Sequence, residues 1–300
     1  MINDILFGFT GELSALSCGL FWAIASVLYR NVGETLSPIK LNLAKGILAI
    51  LFLVVAFLLS PSETLVLESF GIGIFMLSGA IGIGFGDSVY FSALNKLGAR
   101  LALLLGMLAP PFTAIFGLIF LNENLSLNAW IGILLTVSGV VWVITEKSEN
   151  EERVIDFKKG VSLGILAALS QATGAIFTRF AFTETVVSPL QSSTYRLLGG
   201  FFVLVIWGLL MPQKGNWKSF FTNKKAVLYF GIAVFFGTFL GIWLQQISLF
   251  HTDAGIAQTL FATSPLFILI ISLILGRKVS LRAFGGVVVS MIGIFLLFTA

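Results

Sequence analysis

The 300 residues are 57% hydrophobic and 11% charged, with 30 Phe, a mean hydropathy of +1.02 and a formal charge of +4. Soluble domains carry roughly 25% charged residues, so this balance excludes a water-soluble fold. The basic excess sits between apolar stretches, where anionic lipid and insertion topology account for it, and no nucleic-acid partner is expected.

Ten apolar stretches separated by Gly, Pro and charge predict ten transmembrane helices, near 12–30, 38–60, 70–94, 100–121, 127–146, 160–180, 189–211, 226–250, 255–275 and 281–299. The first contains the single cysteine, Cys18, and Trp22. One Cys and one His supply neither a disulfide within the chain nor a metal cluster, so neither metal nor cofactor is expected. No Lys or Arg precedes Arg30 and no small-residue cleavage site follows a short apolar core, so the first stretch is expected to be retained as a helix. The second stretch opens at Pro38 and carries Lys45; the third holds a glycine run, Gly82, Gly84 and Gly86, then Asp87 and Tyr90. Pro110 and Pro111 interrupt the fourth. After the fifth comes the longest polar segment, EKSENEERVIDFKK at 146–159. Gln171 lies in the sixth stretch, Tyr195 and Arg196 in the seventh, and Gly237, Gly241, Trp243, Gln245 and Gln246 in the eighth, which ends at His251 and Asp253. The ninth carries Gln258 and Pro265.

Basic residues orient the chain. Of 18 Lys and Arg, 15 fall in or beside the connections after stretches one, three, five, seven and nine, and only Arg179 falls on the opposite side. By the positive-inside rule the odd connections, including the linker 147–159, are cytoplasmic, and both termini face outward.

The chain also repeats itself. Ser37-Pro38 followed by Lys45 matches Ser188-Pro189 followed by Arg196 at the same spacing. Gly82 to Gly86 matches Gly237 to Gly241, Pro111 matches Pro265, and Asn124 to Trp130 matches Lys278 to Phe284. The units are 1–146 and 160–300, joined by 147–159. Five crossings are an odd number, so the second unit is expected upside down relative to the first. In the shared motif Glu123 stands where Arg277 stands, acidic outside and basic inside. Inverted repeats are the architecture of alternating-access carriers, with the site near the midplane between the halves.

The paired blocks APPFTAIFGLIFLNENLSLNAWIGILLTVSGV (109–140) and TSPLFILIISLILGRKVSLRAFGGVVVSMIGI (263–294), with YRLLGGFF (195–202), resemble the EamA-like, ten-helix branch of the drug/metabolite transporter superfamily. The resemblance covers nearly the whole chain. It implies an all-α membrane fold of two inverted five-helix units around a central cavity, and movement of amino acids, other metabolites or drugs, mostly outward. This sequence departs from the family pattern at Lys45, where the family has Arg, and at Arg277, where it has Glu.

A charge inside a span costs about 2.5–3.5 kcal/mol on insertion scales, which makes Lys45, Asp87 and Arg196 functional candidates. Seven residues past Pro38, Lys45 lies about 10 Å from the cytoplasmic face, and Asp87 lies at comparable depth before Lys96. The two are expected to pair, either as a gate or as a structural ion pair. Arg196, the twin of Lys45, lies about 10 Å from the outer face, and the twin of Asp87 is the apolar Ile242, so Arg196 has no obvious partner. A free guanidinium suits bidentate capture of a carboxylate, or snorkels to headgroups. Trp22, Tyr90, Gln171, Tyr195, Trp243, Gln245, Gln246 and Gln258 are candidates to line a cavity, or to serve as interfacial anchors and helix glue. The glycine motifs read as packing, the prolines as kinks or hinges, and His251 with Asp253 as a solvated loop pair.

These readings lead to a secondary carrier of the inner membrane exporting a small metabolite, an amino acid or similar zwitterion, as a monomer or weak homo-oligomer. No G-x-x-x-x-G-K-[ST] occurs, so ATP is not the direct driver. Proton-coupled multidrug efflux is the alternative, with Asp87 as its carboxylate. Recognition of phosphorylated sugars is disfavoured because Lys45 and Arg196 are expected toward opposite faces. An intramembrane enzyme would need a catalytic cluster in the spans, and the sequence offers none.

Overall fold

The computed structural model describes residues 8–30, 38–60, 68–145, 156–210, 217–274, 276 and 280–299. Ten helices are long and apolar enough to cross a membrane: α1 (Thr10–Tyr29), α2 (Ile39–Leu58), α3 (Ser69–Leu97), α4 (Leu101–Leu121), α5 (Leu127–Ile144), α6 (Phe157–Glu184), α7 (Pro189–Leu210), α8 (Lys224–His251), α9 (Ala254–Ile274) and α10 (Leu281–Phe298). No strand occurs among the described residues. Most of the linker, the loop ends at 31–37 and Arg277 lie outside the described residues, so the structure does not bear on their expected placement.

The two halves have matching local structure. Ser126 and Ser280 are twin N-caps, their hydroxyls accepting from the Ala129 and Ala283 amides at 3.1 and 3.0 Å. Helices α4 and α9 both end in left-handed residues at the same repeat position, Asn122 (φ 54°) and Gly276 (φ 76°). Midway, α3 and α8 both widen into π-helical turns, Ala80–Gly86 and Phe235–Leu240, over the matched glycine motifs. Helices α4 and α9 each break in two, after Gly106 and after Phe261, just before the matched prolines.

The seam between α5 and α10 reveals the inversion. Gly132 packs on Gly293 and Gly139 on Gly286, although Gly132 is the twin of Gly286 and Gly139 of Gly293. Between them the Ser290 hydroxyl donates to the Thr136 carbonyl at 3.2 Å, and those two are twins of each other. Contacts that run head to tail about a self-paired centre require antiparallel copies related by a two-fold axis in the membrane plane. A Cβ on Gly293 would sit 2.7 Å from the Gly132 carbonyl, so glycine is what allows the two backbones to approach.

Elsewhere too the halves interlock: α1 packs on α8 and α9, and α6 packs on α3 and α4. The interior is rich in small residues such as Ala15, Ala23, Ala172, Ala175 and Ala233, all fully buried. The large apolar side chains of Leu58, Leu210, Ile274 and Phe295 point outward, as they must where the solvent is hydrocarbon.

Candidate functional site

A cavity of about 370 Å³ lies at the centre of the bundle, lined by α1, α2, α3, α4, α6, α7, α8 and α9 but by no residue of α5 or α10. Twin positions face it together: Lys45 with Arg196, Asp87 with Ile242, Met107 with Phe261, and Pro110 with Ser264. The two-fold relation therefore runs through the cavity, as expected where inverted halves meet.

Of the eleven residues singled out as charged or cavity-lining candidates, eight line this cavity: Trp22, Lys45, Asp87, Tyr90, Gln171, Arg196, Gln245 and Gln258. Tyr195 and Trp243 do not. Tyr195 packs against the buried cluster that includes Phe75 and Phe182, and Trp243 lies 5.8 Å from the Phe239 ring in a second cluster. Gln246 serves as helix glue, fully buried, its carbonyl oxygen taking the Ser192 hydroxyl at 3.4 Å.

The π-helical turn of α3 sets the acidic wall. Within it the Gly82 carbonyl accepts from the Gln171 amide at 3.0 Å, and the same amide donates to the Asp87 carboxylate at 3.3 Å. Lys45 lines the same wall and its charge acts on Asp87, yet the two make no direct ion-pair contact. The direct pairing expected of them is not formed, and the hydrogen bond to Asp87 comes from Gln171 instead. Asp87 also feels Arg196. That corrects the expected separation: two groups each about 10 Å inside opposite faces of a 30 Å core both reach the middle. One acidic and two basic side chains thus face one space, a formal excess of one positive charge.

Arg196 is 1% exposed. Its Nη1 donates to the Gln245 side-chain oxygen at 3.2 Å, while its buried Nε has no partner. The α3–α7 contact holds the backbone beneath it: a methyl group on Gly79 would run into the Arg196 carbonyl, and one on Gly199 into that of Met76. Gln258, 8% exposed, also lines the cavity, and its buried side-chain oxygen has no hydrogen-bond partner. Two residues of the cavity wall thus each carry one orphan polar atom, a donor on Arg196 and an acceptor on Gln258.

Sequence reasoning did not single out Leu103, Gly106, Met107, Ala168, Phe261 and Ala262, which form much of the wall. All but Ala168, which belongs to α6, lie at or near the breaks in α4 and α9. Pro110, Pro111 and Pro265 have no N–H to offer the carbonyls of Gly106, Met107 and Phe261, four residues earlier, and such irregular backbone is tolerated at membrane depth only inside protein or along a cavity. The prolines were the available signal.

On the face where α4, α6 and α8 end, a charged cluster closes the bundle. Arg179 Nε donates to Glu123 Oε1 at 3.0 Å, and its Nη1 donates to the carbonyls of Leu249 and Phe250 at 3.0 and 2.8 Å. Its Nη2 stands 3.7 Å from Asp253 Oδ1. The other Glu123 oxygen accepts the Ala254 amide at 3.0 Å. Asp253 thus turns to Arg179 and not to His251, which stacks edge-on against Phe250 at 4.9 Å. Burial, then the nearby Asp253 charge, raise the Glu123 carboxyl above its ordinary range, against the opposing pull of Arg179 and the Ala254 amide.

Comparison with known proteins places these features in context. The profile of the EamA-like transporter family matches residues 9–145 and 158–299. Mouse "Solute carrier family 35 member F6" is 28% identical over 149 residues, 48% of this chain and 39% of that protein, so the chain matches about two fifths of that relative. The Bacillus subtilis (strain 168) "Uncharacterized transporter YyaM" is 24% identical over 222 residues, covering 73% of this chain and 71% of the relative. A crystal structure 14% identical in sequence superposes with a TM-score of 0.78 over 95% of both chains, a likeness of fold.

Proposed function

The chain belongs to the EamA-like transporter family, and we propose that it is a secondary carrier that exports or exchanges a small metabolite carrying a carboxylate, an amino acid or similar zwitterion, by alternating access. The observation that carries this reading is Arg196, a cation sealed in a mid-membrane cavity with its Nε unbonded. Gln245 holds Nη1 and leaves the Nε–Nη2 edge for two parallel hydrogen bonds to a carboxylate. The charge excess favours a cargo with an anionic group, and the orphan oxygen of Gln258 can take a donor from it. In the proposed setting, the inner membrane, the linker is cytoplasmic, both termini lie outside, and the protein works as a monomer or weak homo-oligomer.

A metabolite panel screened by thermal shift on the purified protein, followed by counterflow in proteoliposomes, tests the reading. At least one carboxylate-bearing compound should raise Tm and drive counterflow. Arg196→Lys should weaken that stabilisation about tenfold or more, since a point charge does not reproduce a planar fork. Stabilisation by cations alone, or full retention in Arg196→Lys, would sink the carboxylate reading.

A second reading, proton-coupled efflux, is favoured by one observation: Asp87 faces the cavity without a direct ion-pair contact to Lys45. A carboxylate so placed is a candidate proton carrier. Transport whose pH profile is unchanged in Asp87→Asn rules out coupling through it.

A further inference from the structure

Glu123, Arg179 and Asp253 meet at one face of the bundle, beyond the cavity. Between that cluster and the cavity lies the first stretch of α9, Ala254–Phe261, every residue of it buried. A Cβ on Gly255 would come within 2.8 Å of Ala114 in α4. Glu123 belongs to the first half; Arg179, Asp253 and Ala254 belong to the second. We propose that Glu123 is the lock of a gate on this face, its carboxylate fastening the α4–α5 corner of one half to α6 and to the start of α9 in the other, so that the cavity opens there only when these contacts part. The inference rests on the alternating-access reading above, but its test needs no known cargo.

Three features make the corner a lock. A single carboxylate accepts from both Arg179 and the Ala254 amide, so one side chain joins two separate elements of the facing half. Charge-assisted bonds of this kind are roughly twice as strong as neutral ones. The Glu123 side chain is 8% exposed, so water competes poorly for it. The local fold is also shaped for it. Helix α4 ends in a π-helical turn, Gly117–Leu121, followed by Asn122 in the left-handed region, and the Glu123 amide returns to the Gly117 carbonyl at 3.1 Å. A Cβ at Gly117 would stand 2.5 Å from Glu123 Oε2, so the carboxylate folds back over a position that only glycine leaves open. At the twin corner the sequence supplies Arg277 in place of Glu123, a side chain with no acceptor. The lock therefore belongs to one face only.

The test introduces Gln258→Cys as a reporter on the cavity wall in a Cys18→Ala background. Membrane vesicles of both orientations are exposed to an impermeant thiol reagent. From the Glu123 face, labelling should be slow in this background and several-fold faster in Glu123→Gln, with a smaller rise in Asp253→Asn. In Glu123→Cys/Arg179→Cys, a short bifunctional thiol reagent with a reducible spacer should block reporter labelling from this face, and a reductant should restore it. Equal rates from this face with and without Glu123→Gln, in protein that remains monodisperse, would overturn the gate; so would reporter labelling that persists after bridging. If Glu123→Gln does not fold, Asp253→Asn and the bridged pair decide the matter alone. A chain that moves no carboxylate would still show these labelling differences, so loss of the cargo reading and loss of the gate are told apart.

Discussion

Gln245 is buried and Gln171 half-buried, and the two amides have different tasks. Gln245 fixes one nitrogen of Arg196; Gln171 bridges a backbone carbonyl of the α3 π turn to Asp87. Replacing Gln245 by Leu removes an acceptor from a buried cation, a loss of about 1.5–3 kcal/mol for a hydrogen bond to a charged group. The expected outcome in proteoliposome assays is a KM for cargo raised about tenfold with the maximal rate changed less; equal changes in both would assign Gln245 a part in the switching step instead. The ionisable members of the site were legible in the sequence because a charge in a twenty-residue apolar stretch has few innocent explanations. The aromatic members were legible only in part: Trp22 and Tyr90 reached the cavity, Tyr195 and Trp243 did not, and nothing in an aromatic side chain tells whether its helix turns it inward or toward a neighbour. Met107 and Phe261 were indistinguishable from residues that face lipid.

Among the helices, the spans could be read to within about four residues, as with 160–180 against Phe157–Glu184, whereas the Ser126 and Ser280 caps were not singled out although both are local signals. The π turns of α3 and α8 could not, because their glycine spacing is equally that of simple close packing. Both descriptions hold: Gly82 lies against Gly174, Gly237 against Ala25, and the same stretches widen to present Asp87 and Ile242. In the seam between α5 and α10 four glycines lie opposed backbone to backbone. Gly139→Val should lower stability by about 1–3 kcal/mol, the usual cost of overpacking, and Ser290→Ala by well under that, since a single interhelical hydrogen bond in a membrane averages about 0.6 kcal/mol. Thermal unfolding in detergent checks both, and a Gly139→Val protein as stable as wild type would show that the seam yields more readily than its geometry implies.

For the molecule as a whole, the expected orientation rests on charge and the two-fold relation on repeated blocks, inferences that each sum many residues. Proteolysis or cysteine labelling at 146–159 should find that segment on the cytoplasmic side; labelling from outside would reverse the proposed orientation and place the Glu123 gate facing the cell interior. A two-fold seam also has a mechanical consequence. When a carrier built of inverted copies switches sides, each half takes up the arrangement its partner had before, so a contact that maps onto itself under that exchange need not change at all. The Thr136–Ser290 junction lies close to such a fixed point, whereas the Glu123 corner has no counterpart with the same chemistry. Under the alternating-access reading, helices α5 and α10 serve as a stationary keel while the eight cavity-lining helices rock about it, and a free-energy difference between the two orientations arises where the twins differ in chemistry, the Glu123 corner among those places.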